Sequence, residues 1–131
     1  KLHIEVEAVL DSLVANPTTP AHWLHQARYQ KGRFLEKRAR PEEALVEYLQ
    51  TVDSVGASQP EELSWYYRSG FQALEILKSQ KRWEAAMGLA DRIAAVRGPR
   101  AEEAKKEAHQ IRFQEFLYPR KKATAPANKR L

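Results

Sequence analysis

The feature that most constrains this chain is that it repeats itself. Tyr29-Gln30-Lys31-Gly32 returns as Tyr67-Arg68-Ser69-Gly70 at an offset of 38, and Pro41-Glu42-Glu43-Ala44-Leu45 returns as Trp83-Glu84-Ala85-Ala86-Met87 at an offset of 42. The offsets differ by four residues, about one helical turn. An inserted turn keeps the same face inward, so the first helix of the second unit is expected to be one turn longer. Repeats of this length mark stacked units that bury their apolar faces only against one another.

The repeat sits within six helical segments. Val6, Val9, Leu10 and Leu13 recur at helical spacing in the first, residues 2–15. Asn16-Pro17-Thr18-Thr19-Pro20 ends it, with Thr19 expected to cap the next helix and Pro20 to open it. The second helix spans about 21–38 and stops at Arg40-Pro41, because proline disfavours helical geometry in the residue before it. The third begins at Pro41-Glu42-Glu43, packs through Ala44, Leu45, Tyr48, Leu49 and Val52, and closes at Gly56. Ser58-Gln59-Pro60-Glu61 resembles a capping box and starts the fourth, which runs to Ser79. The fifth covers about 82–97. Gly98-Pro99 separates it from the sixth, 100–118, and Pro119 follows. No segment alternates as a strand would. The domain is therefore expected over 1–118, with units at about 21–56 and 60–97 and flanking helices 2–15 and 100–118.

Here the chain resembles the tetratricopeptide repeat family. Gly32 stands at the small position midway along the first helix of a unit, Ala44 at the small position twelve residues later, and Tyr48 at the aromatic four further on. Small residues there let two helices cross closely. In the second unit Gly70 and Ala86 match in kind, Ala90 replaces the aromatic, and the spacing is sixteen. The family's tryptophan near the start of the first helix is Arg28 in this chain. The run Ala-Arg-Tyr-x-x-Gly…Pro-Glu-Glu-Ala-Leu…Trp-Tyr-Tyr-Arg…Gly-Pro-Arg-x-Glu-Glu-Ala looks like the C-terminal part of long bacterial members. The resemblance implies an all-α solenoid of antiparallel helix pairs. It also implies a concave groove lined by the first helices of the units, with Gln26, Tyr29, Arg33, Lys37, Tyr67 and Phe71 facing a bound protein segment.

Charge shapes the choice of partner. Of the net +5, all is carried by residues 119–131, where Arg120, Lys121, Lys122, Lys129 and Arg130 meet no acid. The rest is formally neutral, so the basic balance reports a tail, expected to be flexible, and not a body surface. Within the body the second helix is locally basic, with Arg28, Lys31, Arg33, Lys37, Arg38 and Arg40 against Glu36. Arg33, Lys37 and Arg40 are expected on one face. That face reads either as solvated arginine and lysine or as a seat for an acidic peptide or phosphate backbone. Trp65, Tyr66, Tyr67 and Phe71 form an aromatic run, of which at least one should lie near the surface, since successive helical residues point about 100° apart.

Chemistry finds no assembled site. The chain has no Cys, hence neither disulfide nor thiolate metal site. His22 and His25 lie one turn apart, but no carboxylate follows within the next turn, and both read as surface histidines. No serine has a nucleophile elbow and no Gly-rich phosphate loop exists. The acid pairs at 42–43, 61–62 and 102–103 suit helix N-termini. Neither an enzyme nor a cofactor is expected. No apolar run nears the roughly 20 residues of a membrane span. A start at Lys1 reads as a processed chain or a piece of a longer one, with the bacterial cytoplasm and periplasm both open. The expected function is a non-catalytic protein–protein interaction or scaffold module. The alternatives are an RNA-binding helical repeat using the basic second helix and the tail, and a structural cap or oligomerisation module self-associating through the first helix.

Overall fold

The computed structural model describes residues 2–55 and 60–117. It is all-α. The helices are α1 (Leu2–Ala15), α2 (Ala21–Lys37), α3 (Pro41–Ser54), α4 (Leu63–Ser79), α5 (Trp83–Ala95) and α6 (Ala101–Ile111). A 3-10 turn, Pro60–Glu62, precedes α4, and a π-helical segment, Arg112–Leu117, follows α6. Among the described residues there is no strand. The expected closure at Gly56, the Ser58 capping box and the basic tail 119–131 lie outside the described residues.

The helices cluster into two compact units, Lys1–Ile76 and Leu77–Leu131, and the border falls inside α4. In the first unit α2 packs between α1 and α3. Ala27 and Leu35 of α2 are buried with Ala44, Leu45, Tyr48 and Val52 of α3. Gly32 explains how α2 and α3 come together. A Cβ placed on it would lie 2.6 Å from Cζ of Tyr48, so only a residue without a side chain lets that ring lie against α2. In the second unit Ala86, Leu89, Ala90 and Ile93 are buried on α5 and Ala104, Ala108 and Ile111 on α6, and the two helices pack together. Alanine on both sides permits close approach there too.

The expected longer helix is corrected: α2 and α4 both have 17 residues, and the change of offset reflects where the glycine stands within each. α4 runs nine residues past Gly70, whereas α2 runs five past Gly32. The turns that end α2 and α4 are the same motif. Ala39 and Lys81 both take a left-handed conformation with φ of 59°. Ala39 N–H donates to the Glu36 carbonyl and Arg40 N–H to that of Leu35. Lys81 N–H donates to the Lys78 carbonyl and Arg82 N–H to that of Leu77. These are Schellman closures, normally given to glycine and here built on side-chain-bearing residues.

Three local expectations are corrected. Thr19 does not cap α2. Its hydroxyl donates back to the Leu13 carbonyl at 2.8 Å, while Pro20 takes the cap position and not the first helical one. The sixth helix does not stay α-helical to 118. Its last turn widens into the π segment, on which Phe113, Phe116 and Leu117 are exposed. The aromatic run on α4 reaches no surface, since Trp65, Tyr66, Tyr67 and Phe71 are all buried. Consecutive burial means that α4 is covered on more than one side, which periodicity on one helix cannot reveal.

Candidate partner-binding groove

The seam between α1 and α2 positions the candidate site. Asn16 fixes the connecting turn by accepting the Thr18 N–H at 2.9 Å and the Thr18 hydroxyl at 2.8 Å on its Oδ1. Near the other end the rings of His3 and Phe34 lie with centroids 6.1 Å apart. Helical spacing then gives α1 two neighbouring stripes, Val6 with Leu10 and Glu7 with Asp11. Each stripe borders its own hollow.

The first hollow, about 380 Å³, is lined by Val6 and Leu10 of α1 and by Gln30, Arg33, Phe34 and Lys37 of α2. Its floor is apolar and its rim carries two cations. Among the described residues neither Arg33 nor Lys37 enters an ion pair. The second hollow, about 260 Å³, lies on the Glu7 and Asp11 side and reaches Leu35, Arg40, Val46 and Glu47. Here charges are paired. Lys31 Nζ lies 2.8 Å from Asp11 Oδ1 and 3.0 Å from Glu47 Oε2. Arg40 makes a two-pronged contact to Glu7 at 3.2 Å for each nitrogen and a further bond to Glu43.

The electrostatics follow from these pairs. Burial works against the Lys31 charge, but the hydrogen bonds and charges of Asp11 and Glu47 outweigh it and hold the ammonium above its ordinary pKa. The hydrogen bond from Arg40 holds the Glu43 carboxyl below the usual range. Burial and then the bond to Glu36 push the Tyr48 phenol up; it donates to Glu36 Oε1 at 2.8 Å, an oxygen that also accepts from Gln72 at 3.0 Å. Among the described residues the buried Glu47 Oε1 has no hydrogen-bond partner, nor do Arg28 Nε and Ser69 Oγ elsewhere. A polar atom left in that state costs about 1–3 kcal/mol.

The six residues expected at a groove part company. Arg33 and Lys37 line the apolar-floored hollow. Tyr29 instead packs its ring 5.8 Å from Trp65 and 5.9 Å from Tyr48. Gln26 is half-buried and outside that hollow. Tyr67 and Phe71 are only 2% and 9% exposed, so neither presents a ring to a partner. The hollow beside the basic face is bounded by α1 and not by α4. Arg40 also leaves the face assigned to it: the chain reverses at Ala39, helical spacing no longer applies, and the guanidinium joins Glu7 and Glu43.

The histidine reading is corrected as well. His25 is buried, 3% exposed, with Nδ1 2.7 Å from Glu62 Oε1, while His22 Nδ1 lies 3.4 Å from the other oxygen of the same carboxylate. Glu62 sits 37 residues beyond His25, so no local spacing could have paired them. Among the described residues no group of three or more His, Asp or Glu side chains is arranged to hold a metal ion, and no helix is long and apolar enough to cross a membrane.

No protein-family model, curated protein or solved structure matches this chain.

Proposed function

We propose that this is a non-catalytic protein–protein interaction module of the tetratricopeptide kind, an α-solenoid that holds an acidic, partly apolar segment of a partner along the α1–α2 groove. The observation that carries this reading is the groove itself. Val6, Leu10 and Phe34 offer apolar contact area beside two cations that, among the described residues, form no ion pair. Apolar anchoring supplies affinity, and charge complementarity supplies orientation and encounter rate. Kinship with tetratricopeptide repeats is supported by the closures at Ala39 and Lys81, 42 residues apart, and by the seating of Tyr48 against Gly32.

The test is selection of a displayed random-peptide library on the immobilised chain, with Arg33→Glu/Lys37→Glu as the counter-target. Enrichment of peptides mixing Asp or Glu with Leu or Phe, lost on the double variant, is the expected result. Selection of peptides that bind both proteins equally would overturn it. Binding of a single-stranded RNA oligonucleotide that falls steeply with salt and vanishes in the double variant would put nucleic acid in the groove instead.

A second reading, self-association, has its own observation. Ile4 and Val9 of α1 are 73% and 60% exposed, an unusual amount of apolar surface on one short helix. Sedimentation velocity across a concentration series tests it, with Ile4→Glu/Val9→Glu expected to return any dimer to monomer.

A further inference from the structure

The core side of α6 ends at Ile111, after Ala104 and Ala108, and the chain then widens into the π-helical segment Arg112–Leu117, in which no residue is buried. That segment nonetheless carries three large apolar side chains. Phe113, Phe116 and Leu117 are 57%, 44% and 62% exposed. Residues four apart come nearly into line in a π turn. Phe113 and Leu117 accordingly share one open hollow of about 500 Å³ with His109, Gln110 and Arg112. So much apolar surface on six residues marks a contact face.

The charge that accompanies this face follows it directly in sequence. Residues 119–131 hold Arg120, Lys121, Lys122, Lys129 and Arg130 and no acid. Chain reach alone keeps the Cα atoms of Arg120, Lys121 and Lys122 within about 11, 14 and 18 Å of that of Leu117, whatever conformation the chain takes there. Arg112 adds little to this charge, since its guanidinium lies 3.2 Å from Asp91 Oδ2. Glu115 is the one acid of the π segment.

The order of these groups selects the occupant. In the α1–α2 hollow, cations stand around an apolar floor, which suits a peptide of mixed character. At the end of α6 the apolar side chains come first and the cations follow in series. An anionic lipid surface is layered in the same order, with an acyl boundary beneath a plane of phosphates. We infer that the end of α6 is a peripheral membrane contact, in which Phe113, Phe116 and Leu117 enter the acyl boundary of an anionic bilayer and Arg120, Lys121 and Lys122 meet its headgroups. Such a contact lies on the membrane and needs no spanning helix. It draws on two weak signals, apolar burial and electrostatic attraction, which together give stable binding.

The experiment is flotation of the full chain with vesicles of phosphatidylcholine alone and of phosphatidylcholine with phosphatidylserine at about three to one. The expected result is saturable binding to the anionic vesicles and little to the neutral ones. Phe113→Ser/Leu117→Ser and Lys121→Glu/Lys122→Glu should each weaken it at least about tenfold. Phe116→Trp reads insertion directly: its added fluorescence should be quenched by bromine-labelled lipid. Leu117→Ser alone decides the apolar arm should the double variant melt early. No binding to anionic vesicles would overturn the inference. So would binding that ignores the apolar substitutions, which would leave only the charge of residues 119–131, or a bound Phe116→Trp that bromolipid does not quench. Self-association without vesicles, relieved by Phe113→Ser/Leu117→Ser in sedimentation velocity, would give the face to a second copy and overturn it as well. Arg33→Glu/Lys37→Glu should leave vesicle binding unchanged, which keeps the result separate from the fate of the groove reading.

Discussion

Two stripes of one helix, one residue apart in sequence, face opposite worlds. Val6 and Leu10 border a hollow whose floor is apolar and whose cations form no ion pair among the described residues, while Glu7 and Asp11 border one in which both cations are bound to carboxylates. The basic residues of the second helix divide along the same line. Lys31, with Arg40 beyond the turn, is held by acids of α1 and α3, and Arg33 and Lys37 meet no acid among the described residues. A local excess of positive charge is thus no measure of a binding surface. What matters is the part of it that the fold leaves uncompensated.

The comparison breaks most completely where both flanks share a support. Gly32→Ala forces a methyl into the buried Tyr48 ring, and overpacking of this kind should lower stability by about 2–3 kcal/mol in urea denaturation, disturbing both hollows together. An unchanged midpoint would show that the α2–α3 contact yields. Lys31→Met tests the acidic flank alone. It leaves Glu47 buried with neither oxygen satisfied and should cost about 2 kcal/mol, with no effect on the selected acidic peptides.

Arg33→Glu/Lys37→Glu tests the other flank. Affinity for those peptides should fall at least about tenfold, or 1.4 kcal/mol, by titration calorimetry, while the melting curve stays close to that of the parent. Ala39→Gly and Lys81→Gly relieve left-handed residues at equivalent turns and should each stabilise by about 1 kcal/mol. Unequal gains would show that the two closures are not equivalent.

The smallest effect is on pH dependence. Hydrogen bonds from Arg40 and Arg100 hold Glu43 and Glu103 ionised below the usual carboxylate range in the folded chain. Their contribution is therefore present above about pH 4 and lost as the pH falls through the folded values. Arg40→Gln should flatten the acid limb of a melting-temperature profile slightly, and Arg33→Gln should not.

Much of the fold was legible because the evidence for it is local. Helix spacing, the prolines at 20 and 41, and the displaced repeat define the segments. The four-residue difference in offset is matched by the four extra residues that follow Gly70, but not by a longer helix, since α2 and α4 both have 17 residues. Gly32 and Tyr48 stood out only as positions that match the resembled repeat, with small residues expected at the crossing; that the Tyr48 ring itself lies against Gly32 came from the structure. Of the residues expected at a groove, Arg33 and Lys37 line one hollow together, because they stay on one helix at one spacing. Tyr67 and Phe71 turned out buried, because an aromatic ring suits a groove and a core equally and only its neighbours decide which it enters.

The sequence by itself determined the helical class, the repeat and the neutral body with its charge gathered in residues 119–131, since each depends on residue order and composition. Only the tertiary structure decided which charges cancel. Glu62 reaches His25 across 37 residues, Glu7 reaches Arg40 across 33, and α1, rather than α4, bounds the hollow beside the basic face. Pairing depends on distance in space, and with effective dielectric and burial varying from place to place, no pattern along the chain can say which acid arrives beside which base.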